Sequence, residues 1–211
     1  MKKLVFILMA MLSGRLYAQS DSYNKSMQEY TVAYDSAKTL HDYQKLSSAF
    51  IKIGDEEKTQ WLPYYYAALV ELNAGWMDKS NTDANAQKIN SLLDQAGKLT
   101  TAGTDLSEIY VLREVSATQQ MMVDPQNRYA TFGQQAATDL EKAISYDASN
   151  PRIYYLQGMR AFNTPSQFGG GKDKAKPLFE KAVKLYGDSK YKLYYPKGGK
   201  KESVNMLANC D

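Results

Sequence analysis

The chain has 211 residues, with 26 Lys and Arg against 23 Asp and Glu, which gives a formal net charge of +3. Its single histidine, His41, excludes most His-based catalytic triads and zinc sites. Its single cysteine, Cys210, excludes an intramolecular disulfide.

Residues 1–18 have the pattern of a secretory signal peptide, with cleavage expected after Ala18. Lys2 and Lys3 form a positive start, and an apolar run follows at 4–12. This run is shorter than the roughly 20 residues of a membrane-spanning helix, so we expect an exported, periplasmic or secreted protein without membrane insertion after cleavage. Residues 19–211 then carry 23 residues of each charge, so their composition gives no support for a nucleic-acid partner.

Helical periodicity dominates the rest of the chain, and we find no alternating run long enough to predict a strand. Apolar residues recur at three- and four-residue spacing in eight segments separated by short turns. The predicted helices cover about residues 22–39, 42–54, 60–74, 84–99, 105–123, 127–146, 151–163 and 172–186. We therefore predict an all-α fold in one domain, 19–211, that ends in a short Lys-rich tail at about 187–211.

Two of these segments share a spacing of small, large and small residues. The pattern consists of Ala136, Leu140 and Ala143 in one segment and Ala175, Phe179 and Ala182 in the other. Small residues at these positions let a helix approach its neighbours closely, and the large residue fills the space between them. Gly158 follows Ala143 by 15 residues, where a small residue again permits a close crossing.

This spacing resembles the tetratricopeptide repeat (TPR), a helical hairpin of about 34 residues. The chain is also similar to a group of small exported bacterial TPR-like proteins with a shared pattern in the last hairpin. Here that pattern is Tyr154-Tyr155, Thr164-Pro165 and the FGGGK segment at 168–172. The resemblance covers most of 40–187 and implies a TPR-like solenoid, a right-handed superhelical array of antiparallel helix hairpins with about eight helices.

The FGGGK segment also invites comparison with a phosphate-binding loop. A Walker A loop needs glycine at the position of Ser166, serine or threonine at the position of Asp173, and a preceding strand. The segment before Ser166 is instead predicted to be helical. We therefore expect the glycines to serve the conformation of a loop between two helices, with anion binding at the following helix N-terminus as the alternative.

Tyrosine is the most informative residue type, with 17 in the chain. Successive helical residues point about 100° apart, so in a tyrosine pair one ring packs between helices while its neighbour faces the groove. With Ala68 and Gly158 as the packing positions of their helices, the TPR pattern directs six residues toward the concave groove. They are Tyr65, Leu69, Arg152, Tyr155, Met159 and Phe162. We expect Tyr65 and Tyr155 to supply aromatic contacts and Arg152 to bind a carboxylate or carbonyl group.

The resulting hypothesis is a non-catalytic exported scaffold that binds a peptide or protein partner in its concave groove. The alternative is a periplasmic small-molecule or glycan binding protein associated with transport, which predicts a closed pocket instead of an open groove. A hydrolase on a helical scaffold is the third candidate and would need two close carboxylates of perturbed pKa. We expect no cofactor and no metal, and the sequence leaves the oligomeric state open.

Overall fold

The computed structural model describes residues 21–210, so the predicted signal peptide lies outside the described residues. Within 21–210 the chain is largely helical and contains no β-strand, and the prediction of an all-α fold is confirmed. The helices are α1 (Asp21–Ser36), α2 (Leu40–Glu57), α3 (Leu62–Met77), α4 (Thr82–Lys98), α5 (Gly103–Val123), α6 (Pro125–Arg128), α7 (Gln134–Tyr146), α8 (Pro151–Asn163), α9 (Lys172–Asp188) and α10 (Lys200–Ala208). None of these helices is long and apolar enough to cross a membrane.

Consecutive helices pack against each other in chain order. In the described part of the chain the hairpins are α1 with α2, α3 with α4, α5 with α7, and α8 with α9, and we call this packed set the helical array. One core joins α1 to α5, and a smaller core joins α5, α7, α8 and α9. The superhelical, TPR-like arrangement of these hairpins stays a prediction.

The repeated spacing of small and large residues identifies part of the core. All six residues of the two motifs are buried: Ala136, Leu140, Ala143, Ala175, Phe179 and Ala182. Gly158 of α8 lies against the Phe179 ring of α9, and a Cβ added at Gly158 would lie 2.6 Å from Phe179 Cε1. The missing side chain therefore permits the close crossing of α8 and α9.

Capping residues explain where two helices begin. Thr39 and Asp42 form a capping box at the start of α2: the Asp42 N–H donates to Thr39 Oγ1 at 3.1 Å, and the Thr39 N–H donates to Asp42 Oδ2 at 2.9 Å. Asn150 caps α8 by accepting from the Arg152 N–H at 3.0 Å, with Pro151 in the first helical position. The second cap fixes the start of α8 and with it the direction of the Arg152 side chain.

Two segments differ from the sequence prediction. The helix predicted at 127–146 is interrupted, because Asp124 caps the four-residue helix α6 and a π-helical turn at Tyr129–Gly133 precedes α7. The tail predicted at about 187–211, for which no helix was expected, contains the helix α10, which packs against α9. Gly199, with φ of +110°, turns the chain into this helix, a conformation that favours glycine.

The FGGGK segment follows α8 and leads into α9, so the structure places it between two helices. Gly169 and Gly171 have φ of +86° and +102°, in the region that L side chains rarely adopt. A Cβ added at Gly170 would lie 2.1 Å from the carbonyl oxygen of Thr164. Backbone conformation and close packing thus account for all three glycines.

Candidate ligand-binding site

A cavity of about 590 Å³ lies between the helical array and the segment that follows α9. This volume falls within the roughly 300–1,000 Å³ typical of small-molecule sites. Its array wall is built from α1, α3, α5, α8 and α9 and is mostly aromatic or aliphatic. The residues of this wall include Val32, Tyr34, Tyr66, Leu69, Val111, Val115, Tyr155, Leu156 and Tyr186.

The opposite wall is the segment between α9 and α10, residues 189–199, which we call the strap. One part of the strap is attached to the first two hairpins through Tyr194. The Tyr194 hydroxyl donates to the carbonyl oxygen of Asn24 in α1 at 2.8 Å. The Tyr66 hydroxyl in α3 donates to the carbonyl oxygen of Tyr194 at 3.0 Å.

The end of the strap is attached to the last hairpin through Gly198. Its carbonyl oxygen accepts from Arg152 Nη2 in α8 at 2.9 Å and from the Tyr186 hydroxyl in α9 at 3.1 Å. The strap therefore links the first hairpins of the array with the last one and closes one side of the cavity.

The phenol groups around the cavity are neutral donors at physiological pH. Five tyrosines that line the cavity have a pKa above the ordinary value for tyrosine, and burial is the largest cause for each of them. They are Tyr34, Tyr66, Tyr155, Tyr186 and Tyr195. The rings of Tyr34 and Tyr66 meet edge to face with centroids 6.1 Å apart. The wall thus offers apolar ring surfaces together with hydroxyl groups that donate hydrogen bonds.

Arg152, which lines the cavity, forms a buried ion pair with Glu108. Tyr65 and Asn150 also donate to the Glu108 carboxylate, at 3.0 and 3.1 Å. Burial is the largest single cause and acts to lower the pKa of Arg152, but Glu108, Tyr65 and Tyr186 together raise that pKa above its ordinary value. The arginine charge is therefore balanced within the protein before any ligand arrives.

Exposed charged residues complete the cavity lining: Asp35, Lys197 and Glu202. Among the described residues that line the cavity, none is His, Cys or Met, and His41 is exposed on α2. Within 21–210 there is also no group of three or more His, Cys, Asp or Glu residues that could hold a metal ion. The lining therefore offers mainly aromatic and aliphatic surface.

No family model matches the chain, and no curated protein matches it either. Among solved structures the chain is similar to the HusA haemophore from Porphyromonas gingivalis, with 32% sequence identity and a TM-score of 0.82. The match covers 92% of this chain and 94% of the HusA chain. The chain belongs to the HusA family. Because HusA is described as a haemophore rather than an enzyme, membership of the HusA family supports a non-catalytic binding role.

Three of the six residues predicted for the groove line the cavity in this HusA family member: Leu69, Arg152 and Tyr155. Their contact with a ligand stays a prediction. The expectation for Arg152 needs a correction, because its guanidinium is already paired with Glu108 and bonded to Gly198. Arg152 thus joins the array to the strap and is not a free cation.

The other three predicted residues lie outside the cavity lining. Tyr65 is 0% exposed and donates to Glu108, so it is a core residue, which corrects the expectation that it faces the groove. Met159 and Phe162 are half-buried on α8 and are absent from the described lining of this cavity.

Sequence reasoning missed Tyr66, Tyr34 and the strap. Tyr66 lies three residues before Leu69 and so shares its helical face, whereas Tyr65 points about 100° away from Tyr66 into the core. The Tyr194-Tyr195 pair was the available signal in the strap, since it continues the aromatic clustering beyond the last predicted helix. Periodicity could not place this pair, because the strap is not helical.

Proposed function

We propose that this chain is an exported haem-binding protein that holds haem non-covalently in the cavity between the helical array and the strap. One observation carries the proposal: an aromatic-lined cavity of small-molecule size occurs in a member of the HusA family. The predicted signal peptide supports export, because a protein that collects haem outside the cytoplasm must leave it.

The chemistry of the lining supports a porphyrin as the ligand. A porphyrin presents two broad apolar faces, which match the rings of Tyr34, Tyr66 and Tyr155 and the aliphatic side chain of Leu69. Its carboxylates need a cation or hydrogen-bond donors, and the exposed Lys197 in the strap offers a cation.

We expect coordination of the haem iron to contribute less to binding than contact with the faces of the porphyrin ring. Protein ligands to haem iron are usually His, Cys thiolate, Met or Tyr, and the described cavity residues offer only Tyr from this set. Burial keeps the phenols protonated by raising their pKa, which disfavours the phenolate that binds iron. We therefore propose that contact with the macrocycle supplies most of the binding free energy.

The peptide-binding hypothesis is the second candidate, and the strap bears on it. A peptide in the concave face requires an open groove, whereas a small-molecule site predicts an enclosed pocket. Because the strap crosses between the first and last hairpins, it supports the small-molecule hypothesis. A peptide or protein partner would need this segment to be displaced.

Titration of the mature chain with haem and, separately, with metal-free protoporphyrin tests the proposal. We expect saturable 1:1 binding of both, with affinities within about tenfold, a difference of roughly 1.4 kcal/mol. Porphyrin absorbance and quenching of tryptophan fluorescence report binding, since Trp61 contacts Tyr195 of the strap at 5.8 Å between ring centroids. The absence of saturable binding would refute the function, and binding of haem alone would show that iron coordination dominates.

The variant Tyr155→Ala tests whether the ligand occupies this cavity. Loss of one stacked ring should weaken haem binding by about tenfold without unfolding the chain. Tyr129→Ala is the matched control, because Tyr129 is 65% exposed and lines a different cavity, between α7 and α8. Equal weakening of haem binding by both variants would contradict the assignment of the ligand to this cavity. So would a Tyr155→Ala variant that is destabilised while its haem binding is unchanged.

A further inference from the structure

The strap is hydrogen-bonded to the array at Tyr194 and at Gly198. Between these two points Tyr195 is half-buried against Trp61, Pro196 is buried and Lys197 is exposed. Tyr194 is bonded to α1 and α3, and Gly198 to α8 and α9. Leu193 is 67% exposed, and Lys192 and Lys197 are exposed as well. One hydrogen bond of this kind changes an equilibrium by roughly two- to tenfold. The strap can therefore detach while the array, which has its own core, stays folded.

The backbone of Tyr194 indicates that the docked strap is strained. Its φ is +57°, in the left-handed region, which is unfavourable for a bulky side chain. Among the non-glycine residues of the described chain, only Lys58 also has a positive φ, and Lys58 is the C-cap of α2, where this conformation is common. Tyr194 lies in a turn in which the Tyr195 N–H donates to the carbonyl oxygen of Lys192 at 3.1 Å, so this turn and the contacts with the array hold its conformation together.

The same residue also lies where a ligand must pass. Tyr194 and its neighbours Leu193 and Tyr195 line the cavity opposite the array wall. While docked, the strap covers this side of the cavity. Detachment of Tyr194 would open this side of the cavity.

We propose that the strap is a gate for ligand exchange and that Tyr194 is the residue that holds it closed. The gate opens when Tyr194 leaves its contacts with Asn24 and Tyr66, the ligand enters or leaves, and the strap docks again. This inference rests on the proposed function, because it takes a porphyrin in this cavity as the ligand.

Two conservative variants weaken the gate while keeping every ring in place. Tyr66→Phe removes the donor to the Tyr194 carbonyl, and Tyr194→Phe removes the donor to Asn24. Tyr64→Phe is the matched control, since its hydroxyl donates to Asp55 within the array. In stopped-flow mixing with haem, both association and dissociation rates should rise about fivefold in each gate variant and remain unchanged in the control. A rise in the dissociation rate alone would mean that the strap is a fixed wall and would overturn the gate.

Limited trypsin digestion gives a readout that needs no ligand. Cleavage after Lys192 and Lys197 in the strap should be faster in both gate variants than in the unaltered chain, and bound haem should slow it. Equal cleavage of all three chains without ligand would refute the role of Tyr194. If the unaltered chain binds no haem, the proposed function fails and the gate with it. If it binds haem but the association rates stay equal, only the gate fails.

Discussion

The two walls of the cavity are held in different ways. In the array wall, Tyr66 stacks on the buried ring of Phe50 with centroids 5.1 Å apart, so its ring is supported by the core. The strap is held by hydrogen bonds at Tyr194 and Gly198 and by ring contacts of Tyr194 with Tyr23 and of Tyr195 with Trp61, whereas Leu193 is exposed. A rigid wall suits ligand recognition, whereas a weakly attached wall suits exchange. The comparison predicts that some substitutions damage both walls and others only one.

The largest effect is expected where the walls meet, at Arg152. Arg152→Met removes the partner of Glu108, whose side chain is only 6% exposed, and leaves its carboxylate buried without its cation. The same change removes a donor to Gly198 of the strap. Breaking a buried ion pair from one side costs about 3–5 kcal/mol, so urea unfolding should show a loss of that order.

The matched control for this variant is Arg128→Met. Arg128 pairs with Asp83 at 2.8 Å on the surface, where ion pairs contribute about 0–1 kcal/mol. If the two variants lose similar stability, then Arg152 is not the shared support of array and strap, and the comparison between the walls loses its central residue.

A smaller but still large effect is expected from Gly158→Leu, which acts on the array alone. The added side chain would push into the Phe179 ring, because even a Cβ would lie 2.6 Å from it. Overpacking of this kind costs up to about 3 kcal/mol, measurable as a lower midpoint of thermal unfolding. Gly97→Ala in α4 should instead be neutral or slightly stabilising, since an added Cβ meets nothing within 4 Å there. Equal midpoints for the two variants would contradict the close crossing of α8 and α9.

The sequence predicted the array better than the site. Helix positions and the small–large–small core motifs follow from local periodicity, and the conformation of the FGGGK loop follows from its glycines. The cavity depends on relations that leave no local pattern. Arg152 and Glu108 are 44 residues apart in the chain, and the strap is held through backbone carbonyls that any residue can supply. On α3 the groove prediction was wrong at one residue, since Tyr66 and not Tyr65 lines the cavity.

The smallest expected effect is a pH dependence of stability that arises in the array and not in the strap. Burial raises the pKa of Glu114 to about 7, and its Oε2 is buried without a hydrogen-bond partner among the described residues. The polar residues that act on this carboxyl, Arg160, Thr118 and Asp139, all belong to the array. Because the folded chain favours the protonated carboxyl, this group lowers stability progressively as the pH rises from about 4.5 to 7. Above about pH 7 this loss of stability has reached its full value.

Replacing this carboxyl should therefore stabilise the array only at high pH. One pKa unit corresponds to about 1.4 kcal/mol, and an amide gives up the attraction of Arg160, so Glu114→Gln should gain about 2 kcal/mol at pH 8 and little at pH 4. Urea unfolding at the two pH values measures this difference. Since none of these groups touches the strap, trypsin cleavage there should match the unaltered chain at each pH. A variant that keeps the full pH dependence would show that Glu114 is not its source, and altered strap cleavage would show that the two walls are coupled through the array core.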